Sequence, residues 1–142
     1  MITFEENSLT VTQYLNLRKK VNWPVLSERQ AEKALQNSLY ILSVYHDGEL
    51  VGMGRLVGDG AVICYIQDLI VLPNLQLSGI GSRLIDILIS HVRETTLPGT
   101  TVMLDLMCAK GREVFYEKHG FISRPTDSLG PGMIQYLTIA KD

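Results

Sequence analysis

Two aspartates are set in stretches of otherwise apolar character, Asp68 in Ile63-Cys-Tyr-Ile-Gln-Asp-Leu-Ile-Val71 and Asp105 in Thr101-Val-Met-Leu-Asp-Leu-Met107. A carboxylate held among such neighbours loses hydration, its pKa rises, and it becomes able to take a proton near neutral pH. Between them lies Gln76-Leu77-Ser78-Gly79-Ile80-Gly81, a loop without an acidic residue. Its two glycines let backbone approach a ligand closely, and it leads into a helix. The free N–H groups and positive dipole end of a helix N-terminus favour an anion such as a pyrophosphate. Two familiar phosphate loops are excluded: no Gly-Lys-Ser/Thr follows, and Leu84 stands where a dinucleotide fingerprint needs its third glycine. Further on, Tyr116 follows Phe115. Adjacent helix positions point about 100° apart, so these two aromatics cannot fill one core position.

The elements that must position these groups follow from periodicity. Leu69 to Leu72 reads as a strand that Pro73 ends by removing a backbone donor. Ile80, Leu84, Ile85, Leu88 and Ile89 then recur every three or four residues, as an amphipathic helix starting near Gly79 requires. Alternation puts Asp68 on the face opposite Leu69 and Val71, while Tyr65 and Gln67 share their face and could bind a water. Upstream, Met1 to Glu5 is an edge strand, and Ser8 to Thr10 caps a first helix running to about Val21. Asn22-Trp23-Pro24 bends the chain, and Ser27 with Gln30 forms a capping box for a second helix. Asp47-Gly48 and Asp59-Gly60 punctuate a three-strand meander from Leu39 to Leu72. Gly52 and Gly54 lie within its middle strand, signalling a bulge or the close approach of another group. Thr101 to Met107 is a further strand, and Lys110 to Lys118 a short helix ended by Gly120. Phe121-Ile122 opens another strand, and Met133 to Ile139 is the last. The order implies an α+β, or mixed α/β, three-layer sandwich with a central, mostly antiparallel twisted sheet flanked by helices.

At 142 residues the chain has room for one core, so residues 1–142 are expected to form one domain with one site. A formal charge of −2 gives no broad attraction for nucleic acid. No stretch is apolar for long enough to span a membrane, and the N-terminal residues are neither basic nor apolar enough for a signal peptide. The default expectation is therefore the cytoplasm. Cys64 and Cys108 each follow apolar residues and read as reduced and buried thiols.

Gln76-Leu77-Ser78-Gly79-Ile80-Gly81 resembles the Gln/Arg-x-x-Gly-x-Gly/Ala signature of the GNAT superfamily of N-acetyltransferases. Val71-Leu72-Pro73 resembles that family's V-x-P strand end, and Val114-Phe-Tyr-Glu-Lys-His-Gly-Phe121 its FYEKxGF segment. Two blocks in the right order and context carry more than one glycine hexapeptide would. The resemblance runs loosely from about Leu39 onward.

It implies the same sandwich fold and acetyl-CoA as co-substrate, with no metal. The loop and helix start, Gln76, Leu77, Ser78, Gly79, Ile80 and Gly81, would hold the pyrophosphate, with Ser82 and Arg83 as side-chain contributors. Leu69, Ile70 and Val71 would offer main-chain groups to the pantetheine arm. Where many members carry an asparagine after the next strand, this chain has Cys108-Ala109-Lys110, and Lys110 would meet a cofactor phosphate instead. Trp23 would wall the acceptor pocket, beside Tyr65 and Gln67.

Acetyl transfer to an amine needs a base, because a primary alkylamine of pKa about 10.4 arrives protonated, and an acid, because CoA leaves as a thiolate of pKa about 8.5. Asp68 is the first candidate for the base, with Asp105 or water behind it. Tyr116 is the candidate acid, on its chemistry and on the resemblance. Cys108 as an acyl carrier, with His119 as its base, is a weaker route. The leading expectation is N-acetylation of a primary amine on a small molecule by direct attack. Protein or peptide N-acetylation and a non-catalytic acyl-CoA-binding module on the same fold are the alternatives, and a homodimer is left open.

Overall fold

The computed structural model describes residues 1–141 apart from Leu77. The chain divides into two compact parts, Met1–Met107 and a second that begins at Cys108.

The first part is built on a five-stranded sheet whose strands follow chain order: β1 (Ile2–Glu6), β2 (Tyr40–His46), β3 (Glu49–Gly58), β4 (Ile63–Val71) and β5 (Met103–Leu106). The first four pair antiparallel and β5 runs parallel to β4. That change of direction is possible because a crossover helix, α3 (Ile80–Thr95), separates β4 from β5. The β2–β3 hairpin turns at Asp47-Gly48, both at positive φ, as a tight turn matched to strand twist requires. At the β3–β4 connection the Asp59 carboxylate accepts from the N–H groups of Ala61, Val62 and Ile63.

Successive β3 residues point to opposite faces, and the neighbours Gly54 and Arg55 show what each face meets. Gly54 lies under α3: a Cβ there would sit 2.7 Å from Leu88 Cδ1. Arg55 turns to the other face, where its Nη1 reaches the carbonyl of Ala34 in α2 (Glu28–Gln36). α1 (Val11–Lys20) packs on that same face, through Tyr14 and Arg18. Helices, sheet and helix thus make three layers. Ile80, Leu84, Ile85, Leu88 and Val92 bury the inner stripe of α3, while Leu42, Met53, Leu56 and Ile70 fill the sheet. The missing side chain at Gly54 lets α3 approach. At Gly52 a Cβ would stand 2.6 Å from the Ile70 carbonyl oxygen, so close strand backbone accounts for that glycine.

The second part contains α4 (Glu113–Glu117), and in the turn that follows it Gly120 takes φ 92°, the left-handed conformation expected there. Tyr116 packs edge-on to Phe115 and Phe121, with ring centroids 5.0 and 6.0 Å away. The strands expected from Phe121 and over Met133 to Ile139 are not formed, and every residue from Ile122 to Lys141 is exposed. β-branched and aromatic composition supplies only a preference; a strand exists once a partner edge completes its ladder.

Candidate active site

The β3–β4 register slips at the first aspartate. Met53 pairs with Ile70 and Arg55 with Gln67, so Gly54 alone faces both Asp68 and Leu69. Asp68 is the extra residue of a bulge and adopts φ 59°, a left-handed conformation that aspartate tolerates better than most residues. The bulge turns its carboxylate toward α1, where it is held at every point. Tyr14 donates its hydroxyl to Oδ2, Arg18 Nη1 reaches Oδ1 at 3.0 Å, and Arg55 Nε and Nη2 reach Oδ2, each at 3.1 Å. Gln67 donates its amide to Oδ1 at 3.2 Å. The Asp68 side chain has no exposed surface. An incoming amine therefore has no route to either oxygen, and the geometry is that of a structural hub more than of the general base expected at this position.

The hub also fixes the bend between the first two helices. Arg18 Nη2 donates to the Pro24 carbonyl, its guanidinium lies 5.4 Å from the Trp23 ring, and the Trp23 N–H donates to the Arg18 carbonyl. Half-buried Trp23 is thus tied to the same cluster as Gln67, so two of the three residues expected at the acceptor pocket share one network. The third, Tyr65, stands on β4 opposite Asp105 of β5.

Asp105 is placed differently. Its Oδ1 is buried and has no hydrogen-bond partner among the described residues. Loss of hydration pushes its carboxyl above the ordinary 3.8, with its own backbone N–H pulling weakly the other way.

β5 ends at Leu106, opposite Ile66. From Gln67 to Val71, β4 keeps β3 on one side and has no strand on the other among the described residues. Leu69, Ile70 and Val71 lie along that edge. A short 3₁₀ turn at Pro73–Leu75 carries the chain from this edge to the start of α3. Gln76 Nε2 donates back to the Val71 carbonyl at 3.0 Å, and Ser78 Oγ donates to the Leu75 carbonyl, holding the loop to the strand end. Gly79, at φ 84°, is the residue before α3 and gives its first turn no side-chain cap. Nothing lies within 4 Å of where a Gly79 Cβ would be. The backbone there is open among the described residues. Arg83, one turn on, lies with its guanidinium 4.9 Å over the Phe4 ring. Ile80 is buried within the core, and Gly81 and Ser82 continue the first turn of α3. Leu77 lies outside the described residues.

In the second part, burial, then the nearby Cys108, push the Tyr116 hydroxyl above its ordinary 10.0, so it keeps its proton throughout the neutral range. Lys110 lies just before α4. Cys64 is buried as expected, but Cys108, beyond the end of β5, is exposed. Desolvation and Glu113 push the Cys108 thiol above its ordinary 9.0, which leaves little thiolate for an acyl-carrying role. Sequence reasoning missed Tyr14, Arg18 and Arg55 as members of the site. The only local signal was an arginine, Arg55, inside an otherwise buried strand.

Residues 37–123 match the family model described as acetyltransferase (GNAT) domain. A GNAT family acetyltransferase structure from Streptococcus pneumoniae is 31% identical, with a TM-score of 0.80 over 96% of this chain and 98% of that one. A protein of unknown function from Staphylococcus aureus, described as a probable acetyltransferase, is 28% identical with a TM-score of 0.82, covering 96% of this chain and all of that chain. The uncharacterized N-acetyltransferase ycf52 of Pyropia yezoensis is 27% identical over 87% of this chain and 75% of its own length. Among the described residues no helix is long and apolar enough to cross a membrane.

Proposed function

The chain belongs to the GNAT family of acetyltransferases, and from that premise we propose that residues 1–142 act as one domain that moves an acetyl group from acetyl-CoA to the primary amine of a small molecule. The observation that carries this reading is the continuous path from the free β4 edge, Gln67 to Val71, to the uncapped, open start of α3 at Gly79. Bound acetyl-CoA supplies the activated acetyl group as a thioester. The N–H groups from Gly79 to Ser82 take the pyrophosphate, with Arg83 and Lys110 adding positive charge, and Leu69, Ile70 and Val71 align the pantetheine arm along β4.

The amine loses its proton to a base, its nitrogen forms the bond to the acetyl carbon, and the carbon–sulfur bond breaks. Asp105 suits the base better than Asp68 does, since its buried oxygen has no partner among the described residues while Asp68 already holds Tyr14, Arg18 and Arg55. Tyr116 gives its proton to the departing thiolate and is reprotonated by the second proton that the nitrogen sheds as it becomes the amide; its raised pKa keeps the phenol protonated at neutral pH. The anchoring of Trp23 by Arg18 favours a defined pocket beside Tyr65 and Gln67 over an open peptide groove, which supports a small acceptor.

Gly81→Asp tests the cofactor site, because it sets a negative charge beside the phosphate position while leaving the buried face of α3 intact. Calorimetry should then show no acetyl-CoA binding to a folded variant; unchanged affinity would move the cofactor elsewhere. Tyr116→Phe keeps the ring and removes the proton, so turnover over a panel of small amines should fall about 10²-fold with acetyl-CoA affinity unchanged. Near-normal turnover in a stable Tyr116→Phe enzyme would take Tyr116 off the catalytic list.

A further inference from the structure

The register of the sheet sets four polar side chains on one face. Tyr65 pairs with Asp105 across β4 and β5, and Gln67 with Arg55 across β4 and β3. Paired residues share a face, as do positions two apart along a strand, so all four look toward the layer of α1 and α2. Tyr65, Gln67, Asp105 and Trp23 are half-buried, each keeping some surface open. Charge is unevenly distributed along that face. At one end stands Asp105, whose buried Oδ1 has no partner among the described residues. At the other, Arg18 and Arg55 share a single carboxylate, Asp68, while burial and the hydrogen bond to Asp68 keep the Tyr14 phenol protonated and neutral. Two guanidiniums against one carboxylate leave one positive charge over. α1 holds Lys19 and Lys20 and no acidic residue, and the α2 carboxylates Glu28 and Glu32 are exposed. Arg18 Nε is moreover buried without a hydrogen-bond partner among the described residues. A buried guanidinium with an unmatched charge and an unmatched N–H is stabilised by an anion brought beside it.

We propose, on the reading that this face takes a small amine, that the acceptor also carries one anionic group, a carboxylate or a phosphate. Its amine lies against Asp105 and its anion toward Arg18, beside the Trp23 ring that the guanidinium already meets at 5.4 Å. Two strand residues, about 7 Å, separate the Tyr65–Asp105 pair from the Gln67–Arg55 pair, so the charged ends of the acceptor stand several bonds apart. With Asp105 ionised the site is neutral as a whole and its charges are held apart. That matches a molecule neutral as a whole and charged at both ends. A diamine would set its second ammonium against the arginines, and a plain alkylamine would leave them unmatched.

The test is acetyl-CoA consumption by the full chain over acceptors of one length that differ at the far end. These are aminohexanoate, aminohexanamide, hexylamine and diaminohexane, with aminopentyl phosphate to separate phosphate from carboxylate. At the effective dielectric of a protein site a charge met at about 6 Å is worth roughly 10²-fold. Allowing for solvent screening, kcat/KM for the carboxylate or the phosphate should exceed that for the amide by at least about 10-fold. The difference should shrink as salt is raised, with the amide rate staying level. Arg18→Gln removes the excess charge, so the carboxylate-to-amide ratio should fall to about 1, whereas Arg18→Lys should hold it above that. Each ratio is read within one preparation, so a loss of folded protein does not move it. Equal rates on acid and amide in the wild type, a preference for diaminohexane, or a ratio unchanged in Arg18→Gln would each overturn the proposal and leave a small-amine acetyltransferase standing. No acetylation of any of these amines would remove the small-amine reading itself, and the proposal with it.

Discussion

Asp68 and Asp105 lie on neighbouring strands, both with apolar residues within two positions on either side, yet their surroundings are opposite in kind. The bulge at Asp68 brings Tyr14, Arg18, Arg55 and Gln67 onto its two oxygens. The Asp105 Oδ1 is as well hidden from water and has no partner among the described residues. A carboxylate matched by two buried guanidiniums binds layers together and has no spare lone pair for a substrate. A carboxylate on a half-buried residue with one hidden, unmatched oxygen is costlier to ionise, and that is the setting in which a base poised nearer neutrality is found. Apolar flanking sequence therefore marks a carboxylate as unusual without saying which of these two uses it serves.

The largest expected effect follows from breaking the matched site. Asp68→Asn leaves Arg18 and Arg55, each 8% exposed, without their counter-charge. Removing one partner of a buried ion pair costs about 3–5 kcal/mol, so urea unfolding should show a loss of that size, with acetyl-CoA affinity falling only as the folded fraction does. If instead the variant melts like wild type and loses rate in a way that high pH restores, Asp68 is the base after all. Next in size, Asp105→Asn should cost about 10²-fold in turnover at neutral pH. Part of that should return as pH approaches the amine pKa of about 10.4, where the acceptor no longer needs a base. A rate profile superimposable on wild type would hand the proton to ordered water.

What the sequence made legible divides along the same line. The apolar stripe of α3, the turns at Asp47-Gly48 and Asp59-Gly60, the cap at Gly120 and the strand stop at Pro73 depend on residues within one turn or one hairpin, and each was readable from spacing. The matched cluster was not, because its members Tyr14, Arg18 and Arg55 lie 54, 50 and 13 positions from Asp68. No local pattern couples residues so far apart. Gly52 and Gly54 announced a close approach but not whose; the answer was β4 backbone for one and Leu88 of α3 for the other. The C-terminal segment shows the converse limit. Its strand-forming composition was plain, yet composition cannot name a partner edge, and the apolar run before Cys108 did not foretell that this thiol is exposed.

The smallest effect is also the sharpest test of the contrast, because it concerns the sign of a pH dependence. Burial raises the Asp105 carboxyl above 3.8 in the folded protein, whereas the unfolded chain keeps the ordinary value. Between those two pKa values the folded state holds more protons than the unfolded one, so stability falls as pH rises through that window. The Asp105 contribution is thus most favourable below pH 3.8 and is diminished at neutrality, where a hidden charge must be kept. Asp105→Asn removes the charge while keeping the shape, and its melting temperature should exceed that of wild type at pH 7 by roughly 1–3 °C. The gap should close as both proteins are taken to acid, since wild-type Asp105 is then neutral as well. An activity loss accompanied by a stability gain at pH 7 is the signature of a residue kept for chemistry. A gap that is equal at acid and neutral pH, or a variant less stable than wild type at pH 7, would mean that Asp105 has a partner in solution and belongs with Asp68.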